Sequence, residues 1–152
     1  MNLKELKRLK TIREIKKGGK SKYVILLEGN VIKKKYDKTK PEHIKHFEHE
    51  VIILNHLKAQ GAVEIPNIIA TDKEDLTIYM DFCGDNPQDT AVLQQNLAVL
   101  MKKFRDIYGL YRYEIVNGNK ILVDKIGLHN VCEKDGKLFL IDFGSNLWVL
   151  NV

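Results

Sequence analysis

Cysteine and proline are scarce in this 152-residue chain, which has 2 Cys and 3 Pro. Cys83 and Cys132 lie far apart in sequence and read as free thiols, which excludes a disulfide-stapled secreted scaffold and points to a reducing cytoplasm. No apolar run approaches the roughly twenty residues that a membrane span needs, and the N-terminus is too charged for a signal peptide. No Pro/Ser-rich linker and no internal repeat divides the chain, so residues 1–152 read as one domain, and a 44% hydrophobic content suffices for a core. Aromatics make up only 8%, and no aromatic-interleaved basic motif of the RNA-binding kind is present. The 25 Lys+Arg exceed the 20 Asp+Glu, with the excess concentrated in the first forty residues. Phosphate binding and ordinary solvation account for that excess better than nucleic acid does.

What is present begins near the C-terminus. Asn130 precedes a hairpin turning at Lys134-Asp135-Gly136-Lys137, and the apolar run Leu138–Ile141 leads into Asp142-Phe143-Gly144. An Asn on a loop and an Asp at a strand end can share a hard cation such as Mg²⁺ on a nucleotide's phosphates. Upstream, residues 23–35 read as two strands joined by the Glu28-Gly29-Asn30 turn, the second strand ending in Val31-Ile32-Lys33. Residues 42–60 form an expected helix with Ile44, Phe47, Val51, Leu54 and Leu57 on one face, ended by Gly61. Glu48 and Glu50 lie in its middle. The same helix carries His43, His46 and His49, whose three-residue steps drift around the axis and predict a solvated histidine face, not a metal site.

Leu3, Leu6, Leu9 and Ile12 predict a short amphipathic helix over residues 2–12. Residues 88–108 predict a second long helix with Leu93, Leu97, Leu100, Met101 and Phe104 inward, followed by a hairpin turning at Asn117-Gly118-Asn119. The tail Leu147–Leu150 is too apolar to remain in water and is expected to pack on this second half or on another copy, giving a homo-oligomer.

In order, the pieces are Val31-Ile-Lys-Lys-Lys-Tyr, Phe47-Glu-His-Glu-Val-Ile-Ile-Leu, Gly61-Ala-Val-Glu-Ile-Pro66 and Leu76–Gly84. Together they resemble the small atypical protein kinases of the RIO type and their relative in the KEOPS complex, over roughly residues 11–144. The resemblance implies an α+β, two-lobed protein-kinase-like fold. It would comprise an antiparallel β-sheet N-lobe with one long helix (1–80), a hinge (81–84) and a much reduced helical C-lobe (85–152). It implies ATP and Mg²⁺ as cofactors and a phosphotransferase with a protein or small-molecule acceptor. Lys33 would hold the phosphates and Glu50, not Glu48, would hold Lys33. Gly18, Gly19 and Ser21 would form a phosphate-covering loop. Met80 would guard the back of the adenine pocket, with Asp81, Phe82 and Cys83 as hinge, while Asn130 and Asp142 would hold metal.

The chain departs from the pattern in three places. Lys17-Gly-Gly-Lys-Ser-Lys22 has neither Gly-x-Gly-x-x-Gly nor the full Walker spacing. The catalytic loop lacks His-Arg-Asp: Lys125 stands five residues before Asn130, where the catalytic Asp belongs, and Asp124 is one step further off. Asp124 is therefore the candidate base if Gly127 absorbs an extra residue, with His129 a lesser candidate. After Gly144 only Ser-Asn-Leu-Trp-Val-Leu-Asn-Val follows, which leaves no room for an activation segment and favours nucleotide binding over phosphorylation of a protein. The competing reading is a pseudokinase that binds nucleotide or a protein partner and transfers nothing. A basic nucleic-acid-binding domain stands third, to be marked by binding that weakens steeply with salt.

Overall fold

The computed structural model describes residues 1–151, an α+β fold with antiparallel sheets. After a one-turn helix α1 (Leu3–Leu6) come β1 (Thr11–Lys17), β2 (Tyr23–Leu27), β3 (Val31–Lys35), α2 (Pro41–Ala59), β4 (Ile68–Asp72) and β5 (Thr77–Asp81). The five strands form one antiparallel sheet in the order β1-β2-β3-β5-β4. Helix α2 starts with Pro41 in its first turn, where a missing N–H costs nothing. It ends at Gly61 (φ +80°), where the N–H groups of Gly61 and Ala62 donate to the carbonyls of Lys58 and Leu57 and close a Schellman motif.

The faces of the sheet follow from strand alternation. Leu26, Ile32, Tyr36, Ile78 and Met80 pack with Phe47 of α2. The opposite face gathers Leu27, Val31 and Tyr79 under Leu6 of α1. The predicted helix over 2–12 is thus confined to one turn. From Thr11 the chain pairs with β2 instead, leaving Ile12 exposed, because the Lys10 N–H is taken by the Glu28 carboxylate and the Lys10 carbonyl by the Glu28 N–H.

The rest of the chain holds α3 (Ala91–Asp106), β6 (Leu110–Val116), β7 (Asn119–Leu122), a 3-10 turn (Leu128–Asn130), β8 (Val131–Lys134), β9 (Lys137–Leu140) and β10 (Trp148–Leu150). Among the described residues this half holds one α-helix, where the main helix was expected, and five short strands. Thr90 caps α3 by accepting the Leu93 N–H at 3.1 Å. Both hairpins turn at the predicted places. Asn117-Gly118 and Asp135-Gly136 carry the paired positive φ values of type I′ turns (51° and 79°, 52° and 76°), which match the twist of the flanking strands.

The largest core cluster joins the C-terminal half of α2 (Ile53, Leu54, Leu57) to α3 (Leu97, Met101, Phe104), Phe143 and Trp148. The apolar tail therefore packs on its own chain: β10 pairs with β6, and Trp148 is fully buried. No helix among the described residues is long and apolar enough to cross a membrane.

Candidate active site

Along β3, Ile32, Lys34 and Tyr36 point to the face covered by α2, and the run of three lysines makes the register decisive. A shift of one residue moves a side chain through the sheet. Lys34, not Lys33, faces the helix. Its Nζ lies 2.8 Å from Glu50 Oε1 and 2.9 Å from Asp142 Oδ1, and the side chain is buried. Lys33 sits on the other face with its ammonium over the Tyr23 ring, so the expected Lys33–Glu50 pair is replaced by Lys34–Glu50. Counted from Val31, the Val-x-x-Lys spacing itself lands on Lys34.

Glu50 is 1% exposed and fully used. Besides Lys34 it accepts the Tyr36 hydroxyl at 2.8 Å and the Phe143 backbone N–H at 2.6 Å. Such a charge survives burial only when paired and hydrogen-bonded on both oxygens. Burial alone would push the Lys34 ammonium down, but Asp142 and Glu50 reverse this and hold it well above its ordinary value. Burial would likewise raise Asp142, yet the Lys34 charge beside it brings that carboxyl down to about 2. Burial and the adjacent Glu50 charge push the Tyr36 hydroxyl well up, which keeps it a donor. Sequence reasoning missed Tyr36, whose only signal is its parity with Lys34.

The chain reaches Asp142 through a strained turn. Asp142 has φ +69°, a left-handed conformation that non-glycine residues adopt at a cost. Gly144 then runs so close to α2 that a Cβ there would lie 2.9 Å from the Tyr36 hydroxyl and 3.1 Å from the His46 carbonyl. Asn130 stands beside Asp142 because its carbonyl accepts the Ile141 N–H at 2.9 Å. Asn86 steadies the same turn by donating to the carbonyls of Leu128 (2.9 Å) and Val131 (2.6 Å).

Above this cluster opens a cleft of about 610 Å³. Ile15, Val24 and Ile32 line it from the sheet, Cys132 and Ile141 from the second half, and Met80, Asp81, Phe82 and Cys83 along the connecting segment. Ser21 and Lys34 also face it. Both cysteines are free and buried, and burial pushes their thiols up, Cys83 to about 12 and Cys132 to about 11. They present neutral, apolar surface. Gly84 closes the segment with φ +91°, and a Cβ there would fall 2.0 Å from the Glu133 carbonyl oxygen. Gly18 and Gly19 have φ values of +81° and +83° in the β1–β2 turn, which the Gly18 N–H closes on the Lys22 carbonyl. Gly19 borders a second, smaller cavity that Asp142 also lines.

Asp142 and Asn130 fit a hard divalent cation. Asn130 Oδ1 is buried with no hydrogen-bond partner among the described residues, which an oxygen-seeking ion would relieve. No group of three or more His, Cys, Asp or Glu suited to a metal occurs among those residues. Two side-chain oxygens would leave the rest of such an ion's shell to other groups or water.

The structure does not bring every expected residue to the cleft. Asp124 is exposed and its carboxylate pairs with Arg105 at the end of α3, so it lines neither cavity. Gly127 absorbs nothing unusual: its φ of −67° is available to any residue, and what its missing Cβ provides is space for the His129 ring. His129 instead borders both cavities together with Asp142. The helix histidines depart from expectation too. His43 is buried and its Nδ1 accepts the Asp37 N–H at 2.9 Å, while His49 and His56 each place Nε2 2.8 Å from a distant carbonyl, Trp148 and Tyr108. They tie α2 to the chain around it. No model of a known protein family matches this chain, and no curated protein matches it significantly.

Proposed function

We propose that this chain is an ATP- and Mg²⁺-dependent phosphotransferase built on a two-lobed, protein-kinase-like plan, with residues 81–84 as the hinge. The observation that carries the reading is the Lys34–Glu50–Asp142 cluster beside a cleft to which Ile15, Val24, Ile32, Met80, Cys132 and Ile141 contribute apolar walls. Burying a lysine between two carboxylates gains little stability over an apolar core. Its use is to present an ammonium of fixed position and permanent charge to a polyanion. The apolar walls suit an adenine ring, and the backbone of residues 81–83 would serve its polar edge. The buried thiols of Cys83 and Cys132 accord with a reducing cytoplasm.

In this mechanism Lys34 holds the α and β phosphates, and Glu50 keeps Lys34 extended. Asn130 and Asp142 would hold Mg²⁺, which when bound neutralises charge on the β and γ phosphates. The acceptor hydroxyl oxygen bonds to the γ-phosphorus while the bond from that phosphorus to the β,γ-bridging oxygen breaks, and ADP leaves with the electron pair. The hydroxyl proton passes to the His129 ring. Because the transition state of phosphoryl transfer is loose, positioning and charge matter more than a strong base, so the absence of Asp124 from the cavities does not exclude catalysis.

That absence does favour one alternative, a pseudokinase that binds nucleotide without transferring phosphate. Incubation with γ-labelled ATP and Mg²⁺ separates the two. Label moving to water, protein or an added alcohol, and abolished by Asp142→Asn, supports the enzyme. Nucleotide binding with no transfer to any of them supports the pseudokinase.

A further inference from the structure

Adjoining the cleft, with which it shares Asp142, lies the second cavity, of about 230 Å³. Its walls bring together Lys16 and Lys20 from the β1–β2 hairpin and Arg112 from β6, with His129 between. The other Lys and Arg side chains that line the two cavities are matched: Lys34 by Glu50 and Asp142, and Arg13 by Asp85. Among the described residues no ion pair involves Lys16, Lys20 or Arg112. Arg112 rests on the Trp148 ring, 5.0 Å from its centroid, and its Nη1 is buried without a hydrogen-bond partner. Partial burial pushes both the Lys20 ammonium and the Arg112 guanidinium down, against the opposing charge of Asp142 on both and of Glu114 on Arg112. A guanidinium held over an indole with an unused N–H is a pre-organised anion contact.

We propose that this alcove is the acceptor subsite and that it selects a small alcohol bearing its own phosphate, such as a phosphorylated sugar or polyol. The inference rests on reading the larger cleft as the nucleotide site. The two cavities share Lys16, His129 and Asp142, so an acceptor seated in the alcove meets the γ-phosphate where the metal ligands stand. Three cations exceed what a neutral hydroxyl requires, and a doubly charged phosphate uses them fully. The compact volume suits a small molecule better than a stretch of folded protein. The phosphate of the acceptor binds Arg112 and Lys20, and its hydroxyl oxygen takes the γ-phosphoryl group, with the proton leaving through His129.

The test is calorimetry with glycerol 3-phosphate as probe and glycerol as the uncharged control. Both are titrated into protein already saturated with Mg²⁺ and a non-hydrolysable ATP analogue, whose own binding is measured first. Glycerol 3-phosphate should bind and glycerol should not. Arg112→Gln and Lys20→Ala should each weaken the probe by about tenfold or more while changing analogue affinity by less than about twofold. Lys20 lies on an exposed turn, so its variant keeps the test open should Arg112→Gln unfold, and Arg112→Lys should recover part of the binding. If the loaded protein binds the analogue but not glycerol 3-phosphate, the alcove proposal fails and the cleft reading stands. Equal losses of analogue and probe would also overturn it, by making the alcove part of the nucleotide's own phosphate site. If the analogue does not bind at all, the cleft reading falls. Probe binding to the free protein that is lost in Arg112→Gln would then still uphold the anion site, and its absence would end both.

Discussion

The backbone N–H of Phe143 donates to Glu50 Oε2 at 2.6 Å, joining residues 93 positions apart. This bond and the Lys34–Glu50 pair make one helix carboxylate responsible for both the lysine and the turn that carries Asp142. The positions of the Lys34 ammonium and of the Asp142 turn are thereby coupled through α2. A displacement of the helix would release both.

The register of β3 gives the first prediction. Lys34→Met should weaken ATP binding by about tenfold or more, because a charge-assisted contact is lost in a partly dehydrated site. Lys33→Met should change it by less than about twofold. Calorimetry on the two variants decides between them, and equal losses would show that the wrong face of the strand has been assigned.

Stability should follow Glu50 and ignore Glu48. Glu50→Ala leaves the Lys34 ammonium, the Tyr36 hydroxyl and the Phe143 N–H short of an acceptor in a buried place, and should cost about 3 kcal/mol or more in urea unfolding. Glu48 is exposed on the same helix. Glu48→Ala should stay within about 0.5 kcal/mol of the unaltered protein.

Acid should reveal the Asp142 interaction. Its carboxyl lies at about 2 in the folded chain, below the ordinary value of about 3.9 in an unfolded one. The stabilisation is complete above about pH 4 and disappears as pH falls through about 2. Lys34 shifts the opposite way, so its contribution is present below the ordinary lysine value and is lost only as pH rises through the higher folded one. The difference in Tm between unaltered protein and Asp142→Asn should therefore move in favour of the unaltered protein between about pH 2 and 4, then remain flat to about pH 9. A difference that is constant through the acid range would mean that Asp142 is not paired.

Asp124 offers a sharper contrast than its neighbours. With its carboxylate on Arg105 and outside both cavities, Asp124→Asn should leave phosphate transfer within about twofold in steady-state assays. A fall of about a hundredfold, the size expected of a lost general base, would return it to the reacting centre.

What was legible in the chain was local. Asn117-Gly118 and Asp135-Gly136 specify type I′ turns by themselves, and the apolar period of α2 with Gly61 after it marks that helix. Glu50, Asn130 and Asp142 are expected together from the order of the pieces along the chain; Glu50 and Asp142 both meet Lys34, and Asn130 lines a cavity with Asp142. Lys34 is obscured by the two lysines beside it, although the Val-x-x-Lys spacing from Val31 reaches it, and the packing of Ile32 and Tyr36 against α2 turns it inward. Arg112 carried no signal at all. It lies 30 positions from Asp142 in sequence, on a hairpin strand whose position depends on pairing with β10. His49 departs from the expected solvated face for the same reason, as its carbonyl partner at Trp148 comes from a distant segment.

The central claim is that the Lys34–Glu50–Asp142 cluster with Asn130 binds nucleotide through a divalent cation, and calorimetric titration of ATP in Mg²⁺ and in chelator tests it most directly. The account predicts tight binding with Mg²⁺, weaker binding by about tenfold or more in chelator, and loss of most of that difference in Asp142→Asn with the fold intact by circular dichroism. Binding of equal strength with and without Mg²⁺, or no binding of ATP by the unaltered protein in either condition, would contradict it.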